Sequence, residues 1–415
     1  MAAAELPLSD TAPIRPWLSI IGIGEDGIAG LTETARRMIS EAGTVYGGRR
    51  HLALAAPLVQ GTALQWPSPL AAGVATIVAA RGTPVCVLAS GDPFLHGIGG
   101  VLSRHVPAAE MIVMPAPSAF SLAAARLGWA LQDTALVSLH GRPLDLLRSH
   151  LQRGAHILAL TSNEHGPADI AALLTATGFG ASRLAVLETL GGQRERVRRT
   201  SAGAFALADI DALNVVAIEI VASAGARVLP RAPGLADALF AHDGQITKRD
   251  IRALTLSALA PQRGELLWDV GAGAGSVGIE WMLADSSLHT IAVESRLDRV
   301  ARIRANAAAF GVPGLVVKVG EAPAALTGLP APDAVFVGGG ASDAGMLDAV
   351  SAALRPGGRL VVNAVTLRTE ALLLDRYAAF GGDLVRIALS RAAPLAGVTA
   401  WQPARPVTQW CWVKP

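Results

Sequence analysis

The chain has 415 residues, a formal net charge of +2, and 16% charged against 51% hydrophobic residues. That length predicts two to four domains of roughly 100–200 residues each, with apolar content sufficient for large cores. The near-neutral balance, without runs of one sign, excludes a disordered chain and gives no footing for a nucleic-acid backbone binder. Two distant cysteines, Cys86 and Cys411, make neither a disulfide framework nor a metal cluster, so no metal is expected and a reduced, cytoplasmic setting fits. Residues 51–80 carry no Asp, Glu, Lys or Arg, but Pro57, Gly61, Pro67 and Pro69 interrupt them. A spanning helix needs about 20 continuous apolar residues, so no membrane partner is expected.

Residues 1–16 are rich in Ala and Pro, lack a signal-peptide pattern, and read as a flexible tail. From there, short β-rich runs alternate with helical periodicity, which predicts an α/β architecture. Trp17–Ile23 reads as a buried strand. It is followed by Leu31, Ala35, Met38, Ile39 and Ala42 at helical spacing. Further strands are expected at 85–89, 111–114, 135–139, 157–160, 184–187 and 215–221. The basic cluster Arg194, Arg196, Arg198, Arg199 reads as a solvated strand or loop edge.

The stretch 223–234, rich in Gly, Ala and Pro and without periodicity, reads as a linker between a domain at 17–222 and another at 235–415. In the second, strands are expected at 266–270, 290–293, 316–319, 334–337, 359–363, 384–389 and 407–413. A helix from about Ser276 and another over 296–310 complete the series. The latter is predicted from Leu297, Val300, Ile303, Ala307 and Phe310 on one face.

Leu266–Val270 runs into Gly271-Ala272-Gly273-Ala274-Gly275 and then a helix. Glycines permit positive φ and bring backbone N–H groups close to a ligand, and the helix start adds a positive dipole end suited to a carboxylate. Glu294, ending the next strand, is placed to accept ribose hydroxyls. Dinucleotide folds share both features, and Gly273-x-Gly275-x-x-Gly278 matches their pattern, so NAD remains an alternative at this point. Asp269 ahead of the loop, Glu321-Ala322 after the third strand, and the turn Leu354-Arg355-Pro356-Gly357-Gly358 together resemble the class I methyltransferase pattern.

Gly244-Gln245-Ile246-Thr247-Lys248-Arg249-Asp250 followed by that loop resembles the decarboxylating precorrin methyltransferases of corrin synthesis. There the Thr247 position helps close over the cofactor; alternatively Thr247 is a helix N-cap with Asp250 in a capping box. In the N-terminal half, three segments resemble the tetrapyrrole methylase family in order and spacing: Gly22-Ile23-Gly24-Glu25, Ser90-Gly91-Asp92-Pro93-Phe94-Leu95-His96-Gly97, and Pro117-Ser118-Ala119-Phe120. Leu139-His140-Gly141-Arg142 and Gly47-Gly48-Arg49-Arg50-His51-Leu52 fit its corrin branch. Glu25 stands where many members carry proline.

The two resemblances cover nearly the whole chain. They imply a two-lobed tetrapyrrole methylase fold, then a class I Rossmann-like fold with a mostly parallel seven-stranded sheet. They also imply one S-adenosyl-L-methionine per domain, two per chain, held by Gly24, Ser90, Gly91, Asp92, His96, Gly97 and Ser118 in the first. In the second the holding residues are Thr247, Asp269, Gly271, Gly273, Gly275, Glu294, Glu321 and Ala322. Asp92 is equally readable as an Asx-turn residue, and His51, His96 and His140 as packed or hydrogen-bonded histidines. Asp92 and Lys248 are the catalytic candidates, and Arg49, Arg50, Lys248 and Arg249 the candidates for substrate carboxylates. The implied reaction methylates precorrin-6B at C5 in the first domain. In the second it methylates C15 and removes the C12 acetate carboxyl, giving precorrin-8X in aerobic cobalamin synthesis. A homo-oligomer is implied as well. The rival readings are a methyltransferase for another reduced tetrapyrrole and a non-catalytic corrinoid carrier.

Overall fold

The computed structural model describes residues 16–415, so the expected flexible tail at 1–16 lies, but for Pro16, outside the described residues. Two compact units divide the chain. The first holds the described residues up to Arg142 together with Arg153–Ala226; the second holds Pro143–Gln152 and Arg227–Pro415.

The first unit contains two five-stranded sheets. One comprises β1 (Leu18–Ile23), β2 (Thr44–Gly47), β3 (Thr62–Gln65), β4 (Val85–Ser90) and β5 (Met111–Met114), all parallel, in the order β3-β2-β4-β1-β5. A parallel sheet covered on both faces needs strands that are apolar throughout. Leu18, Ile20, Val85 and Val87 pack with Ile77 on one face, while Ile21, Ile23, Cys86 and Leu88 pack with Ile39 on the other. The second sheet comprises β6 (Thr134–Ser138), β7 (His156–Leu160), β8 (Arg183–Glu188), β9 (Arg196–Ser201) and β10 (Asn214–Glu219). Its order is β6-β7-β10-β8-β9, with only β6 and β7 parallel. Of the arginine cluster, Arg196, Arg198 and Arg199 lie on β9 and Arg194 just before it; Arg196 and Arg198 both donate to Glu188, which is 1% exposed, and Arg194 to Asp211.

The second unit is built on β11 (Leu266–Val270), β12 (His289–Glu294), β13 (Val316–Val319), β14 (Ala334–Val337), β15 (Arg359–Ala364), β16 (Asp383–Ile387) and β19 (Val407–Val413). Their order is β13-β12-β11-β14-β15-β19-β16; the first five are parallel and β19 runs antiparallel to both neighbours. A separate hairpin, β17 (Ser390–Leu395) with β18 (Val398–Pro403), precedes β19. Strand order reverses between β11 and β14, which opens a crevice at their carboxyl ends. No helix among the described residues is long and apolar enough to cross a membrane.

Two local expectations are corrected. Thr247 is not a helix cap: the helix spans Arg249–Leu259 with Lys248 in the cap position, and the Thr247 carbonyl instead accepts a hydrogen bond from Arg252. Leu297 is 71% exposed as the first helical residue, and the helix Leu297–Ala309 buries Val300, Ile303 and Ala307 without it.

Arg252 is fully buried. Its Nε donates to Glu280 Oε1 at 2.6 Å, its Nη1 to Asp237 Oδ1 at 3.1 Å, and further donors go to the carbonyls of Leu235 and Thr247. Glu280 in turn accepts the N–H groups of Gly234 and Leu235 at 2.6 and 3.0 Å. Every charge is thus answered, and the chain between 234 and 248 is fastened to the sheet's helices. Asp269 is buried differently. Oδ2 accepts the Gly278 N–H at 3.0 Å, while Oδ1 has no partner. Burial, opposed by that N–H and assisted by the Glu294 charge, pushes its carboxyl up from 3.8 to about 7.

Removing one partner of a buried pair strands the other charge, so Arg252→Met is expected to lower stability by about 3–5 kcal/mol. An earlier unfolding transition of the full chain in urea checks this. Between pH 4 and 7 the folded chain keeps a proton on Asp269 that the unfolded chain has lost. Its contribution is therefore fully present below about 4 and lost as pH rises through about 7. Thermal melts at pH 5 and 8 are expected to show that Asp269→Asn abolishes this part of the pH dependence, on the order of a few kcal/mol.

Candidate active sites

In the second unit, a cavity of about 440 Å³ opens at the carboxyl ends of β11, β12 and β14. Gly271 has φ 69°, and a Cβ there would stand 3.0 Å from the Gly339 nitrogen, so the loop approaches its neighbour with no room for a side chain. Gly271, Ala272 and Gly273 line the cavity. The Glu294 carboxylate is buried at its floor and accepts the Gly273 N–H at 3.0 Å and the Arg296 N–H at 3.0 Å. Each carboxylate oxygen keeps acceptor capacity, as hydroxyl recognition requires. Thr247, Lys248, Glu321 and Ala322 also line the cavity, whereas Asp269 and Gly275 do not. Gly275 precedes the helix Ser276–Ala284 and packs against Ile303. Asp269 lies beneath the loop, bonded to the helix's first turn. Lys248 is exposed and makes no ion pair among the described residues. Arg249 lies outside the cavity lining.

Asn306 ties the wall together: its Nδ2 donates to the carbonyls of Ala274 and Ala241 at 2.9 and 3.0 Å. Ala241 is thereby tied to the glycine loop, and a Cβ on Gly273 would stand 3.0 Å from the Gln245 carbonyl oxygen. The sequence reading did not single out Asn306, Ser295, Asn363 or Gly338-Gly339-Gly340. The glycine triplet directly after β14 was a readable signal, since it ends a strand on the crevice side.

In the first unit, a cavity of about 540 Å³ is lined by both sheets' loops. Gly24, Ser90, Gly91, Asp92, His96, Gly97 and Ser118 all line it, as do Glu25, Arg50, His51 and His140, but not Arg49. Gly91 has φ 54°, and a Cβ there would meet the Pro117 carbonyl at 2.9 Å. The three sequence segments therefore converge by close backbone approach. Asp92 Oδ1 accepts the Phe94 N–H at 2.8 Å, the Asx turn that the sequence left open. Ser118 caps the helix Ala119–Leu127, accepting the Ser121 N–H at 3.0 Å. His96 sits at φ 57° with its ring edge-on to Phe120; burial and then the Arg142 charge lower its pKa. His140 Nδ1 lies 3.3 Å from the Thr161 carbonyl.

Leu95, Phe120, Leu187 and Val215 give this cavity an apolar wall, interrupted by Ser138, Thr161, Ser162 and Asn214 from the second sheet. None of these four polar residues carried a sequence signal. They reach the cavity because β6 and β7 end there and β10 begins there. A flat, partly apolar ligand with polar edges suits such a lining.

Two family models match the chain in series: "Tetrapyrrole (Corrin/Porphyrin) Methylases" over residues 18–206 and "Precorrin methyltransferase domain" over residues 238–414. The chain is 60% identical over 411 residues, 99% of this chain and all of the relative, to a precorrin-6Y C(5,15)-methyltransferase (decarboxylating) of Sinorhizobium sp.. Two shorter relatives from Salmonella typhimurium each match less than half of it. A cobalt-precorrin-7 C(5)-methyltransferase is 32% identical over 43% of this chain and 88% of its own length. A cobalt-precorrin-6B C(15)-methyltransferase (decarboxylating) is 36% identical over 39% of this chain and 85% of its own. The chain belongs to the family of decarboxylating precorrin C5,15-methyltransferases, S-adenosylmethionine-dependent enzymes that join a tetrapyrrole methylase domain to a precorrin methyltransferase domain.

Proposed function

We propose that this chain methylates a reduced corrin precursor, precorrin-6B, at C5 and C15 and removes the C12 acetate carboxyl, giving precorrin-8X in aerobic cobalamin synthesis in the cytoplasm. The observation that carries the reading is the presence of two separate glycine-walled cavities, one in each unit, each at the carboxyl ends of parallel strands. Each takes one S-adenosyl-L-methionine, which supplies an electrophilic methyl group. The first unit acts at C5, and the second at C15 and on the acetate. Support comes from the two short relatives, whose names divide these reactions between separate proteins.

In the second unit, the Gly271–Gly273 backbone receives the carboxylate end of the cofactor, Glu294 the ribose hydroxyls, and Glu321-Ala322 the adenine. Thr247 closes the wall above. Asp269 and Gly275 act one layer back, holding the loop and the first helical turn. Lys248, exposed at the rim, pairs with a substrate carboxylate. In the first unit, the Ser90 and Gly91 backbone encloses the cofactor with His96, Gly97 and Ser118 beside Gly24, leaving the Ser90 hydroxyl outside the cofactor's contacts, and Asp92 keeps its loop in shape. Meso carbons of a reduced macrocycle are enamine-like, so transfer demands alignment more than a strong nucleophile-activating base.

Incubation with the reduced macrocycle is expected to give a product with two methyl groups gained and one CO2 lost, read by mass. A product with another mass change sinks the substrate assignment. Calorimetry with S-adenosylhomocysteine is expected to show two sites per chain. Gly271→Ala, which forces a Cβ against Gly339, leaves one site and no CO2 release. Gly91→Ala leaves the other site and CO2 release intact but adds no methyl at C5. Exchange of these two phenotypes overturns the division of labour.

A further inference from the structure

The N-terminal cavity contains a side-chain cluster that cofactor binding does not use. Glu25 departs from its family's pattern, and Arg50 and His51 come from a segment 25 residues along. Arg50 Nη1 donates to the Glu25 carboxylate. Its Nη2 donates to Ser90 Oγ at 2.9 Å and to His51 Nε2 at 3.0 Å. A guanidinium offers only donors, so His51 Nε2 is an acceptor and carries no hydrogen. Ser90 Oγ lies 2.8 Å from that same nitrogen. The single Nε2 lone pair is thus shared between the Arg50 N–H and the closer Ser90 hydroxyl hydrogen, while the Ser90 oxygen accepts from Arg50. The result is a hydroxyl bonded to a neutral imidazole in the wall of a cavity.

Two further facts argue against a merely structural histidine. His51 Nδ1, which must hold the ring hydrogen, is buried without a partner. A packing histidine ordinarily places that N–H on a carbonyl or carboxylate, and orphans of this kind are rare. Burial, and after it the Arg50 charge, lowers the His51 pKa to about 4, so the ring stays neutral at physiological pH.

Methylation of a meso carbon is a substitution. The new C–C bond forms as the sulfonium C–S bond breaks, and the macrocycle is then cationic until the C–H proton on that carbon departs. We propose that the Ser90–His51 pair takes this proton: Ser90 Oγ accepts it while passing its own proton to His51 Nε2, and the C–H electron pair restores the conjugation. Glu25 and Arg50 are positioning residues, since Arg50 fixes which way the Ser90 hydroxyl points. The carbon acid is cationic, so a weak base suffices. The imidazolium then loses its proton to solvent readily, which resets the pair. This inference rests on the C5-methylation reading above.

The test uses the full chain, S-adenosylmethionine, and reduced macrocycle bearing hydrogen or deuterium at the C5 meso carbon. His51→Gln keeps a hydrogen-bonding group but no useful basicity, and Ser90→Ala removes the relay. Formation of the neutral C5-methylated product is expected to slow by about 100-fold or more in His51→Gln, with the methylated cation accumulating. Both variants are expected to show a primary deuterium isotope effect larger than that of the unaltered chain, with S-adenosylhomocysteine affinity preserved. Unslowed formation of the neutral product, or slowing without an increased isotope effect, overturns the proposal. Should His51→Gln lose affinity for S-adenosylhomocysteine, the isotope effect in Ser90→Ala decides alone. If the unaltered chain adds no methyl at C5, the functional reading has failed instead.

Discussion

A parallel strand buried on both faces must shed its last backbone groups at its carboxyl end, where the neighbouring strand no longer answers them. Both cavities are consequences of that constraint. β4 runs out at Ser90 and β11 at Val270, and each is followed at once by a glycine in the left-handed region. The turn leaves N–H groups facing outward, and the absence of a Cβ lets a second loop press against the first: 117–118 against Gly91, and 338–340 against Gly271. Pockets made this way have walls set by close backbone approach, at Gly91 and at Gly271, and side chains enter them from the neighbouring segments.

This division explains what could be read from the chain. Strands buried on both faces, such as β4 and β11, announce themselves as apolar runs ending in glycine, and the loops after them were legible with the elements. β3 was not: its four residues are all exposed and show no alternation. β17 and β18 were equally silent, because a hairpin lying outside the main sheet has no buried face to impose a period. The side-chain layer of the sites was the least legible. Glu25 looked like a mere departure from pattern, and Arg50 a candidate carboxylate clamp. Only the folded chain shows that each spends its charge on the other.

Buried charge recurs as a means of fastening rather than as a reserve of stability. Arg252 gathers Glu280, Asp237 and two carbonyls around the segment that roofs the C-terminal cavity. Asn306 does the same with neutral groups. An apolar replacement of such a cluster would cost little or nothing in free energy. What it would lose is the placement of Thr247 over the glycine loop. Asp269 is the contrasting case, a carboxyl whose hold on its proton burial strengthens and which is tied at one oxygen only.

The arginines of β9 bear on a different matter. β9 closes one side of the second sheet, so its outer row of N–H and C=O groups has no strand beside it. An unguarded edge of this kind is a template for another chain, and native proteins blunt it with charge. Arg196, Arg198 and Arg199 supply that charge, and the buried Glu188 carboxylate anchors the first two so that they cannot fold away. The residues that read as a solvated edge in the sequence thus set charge along the open side of the sheet, the arrangement that disfavours edge-to-edge pairing.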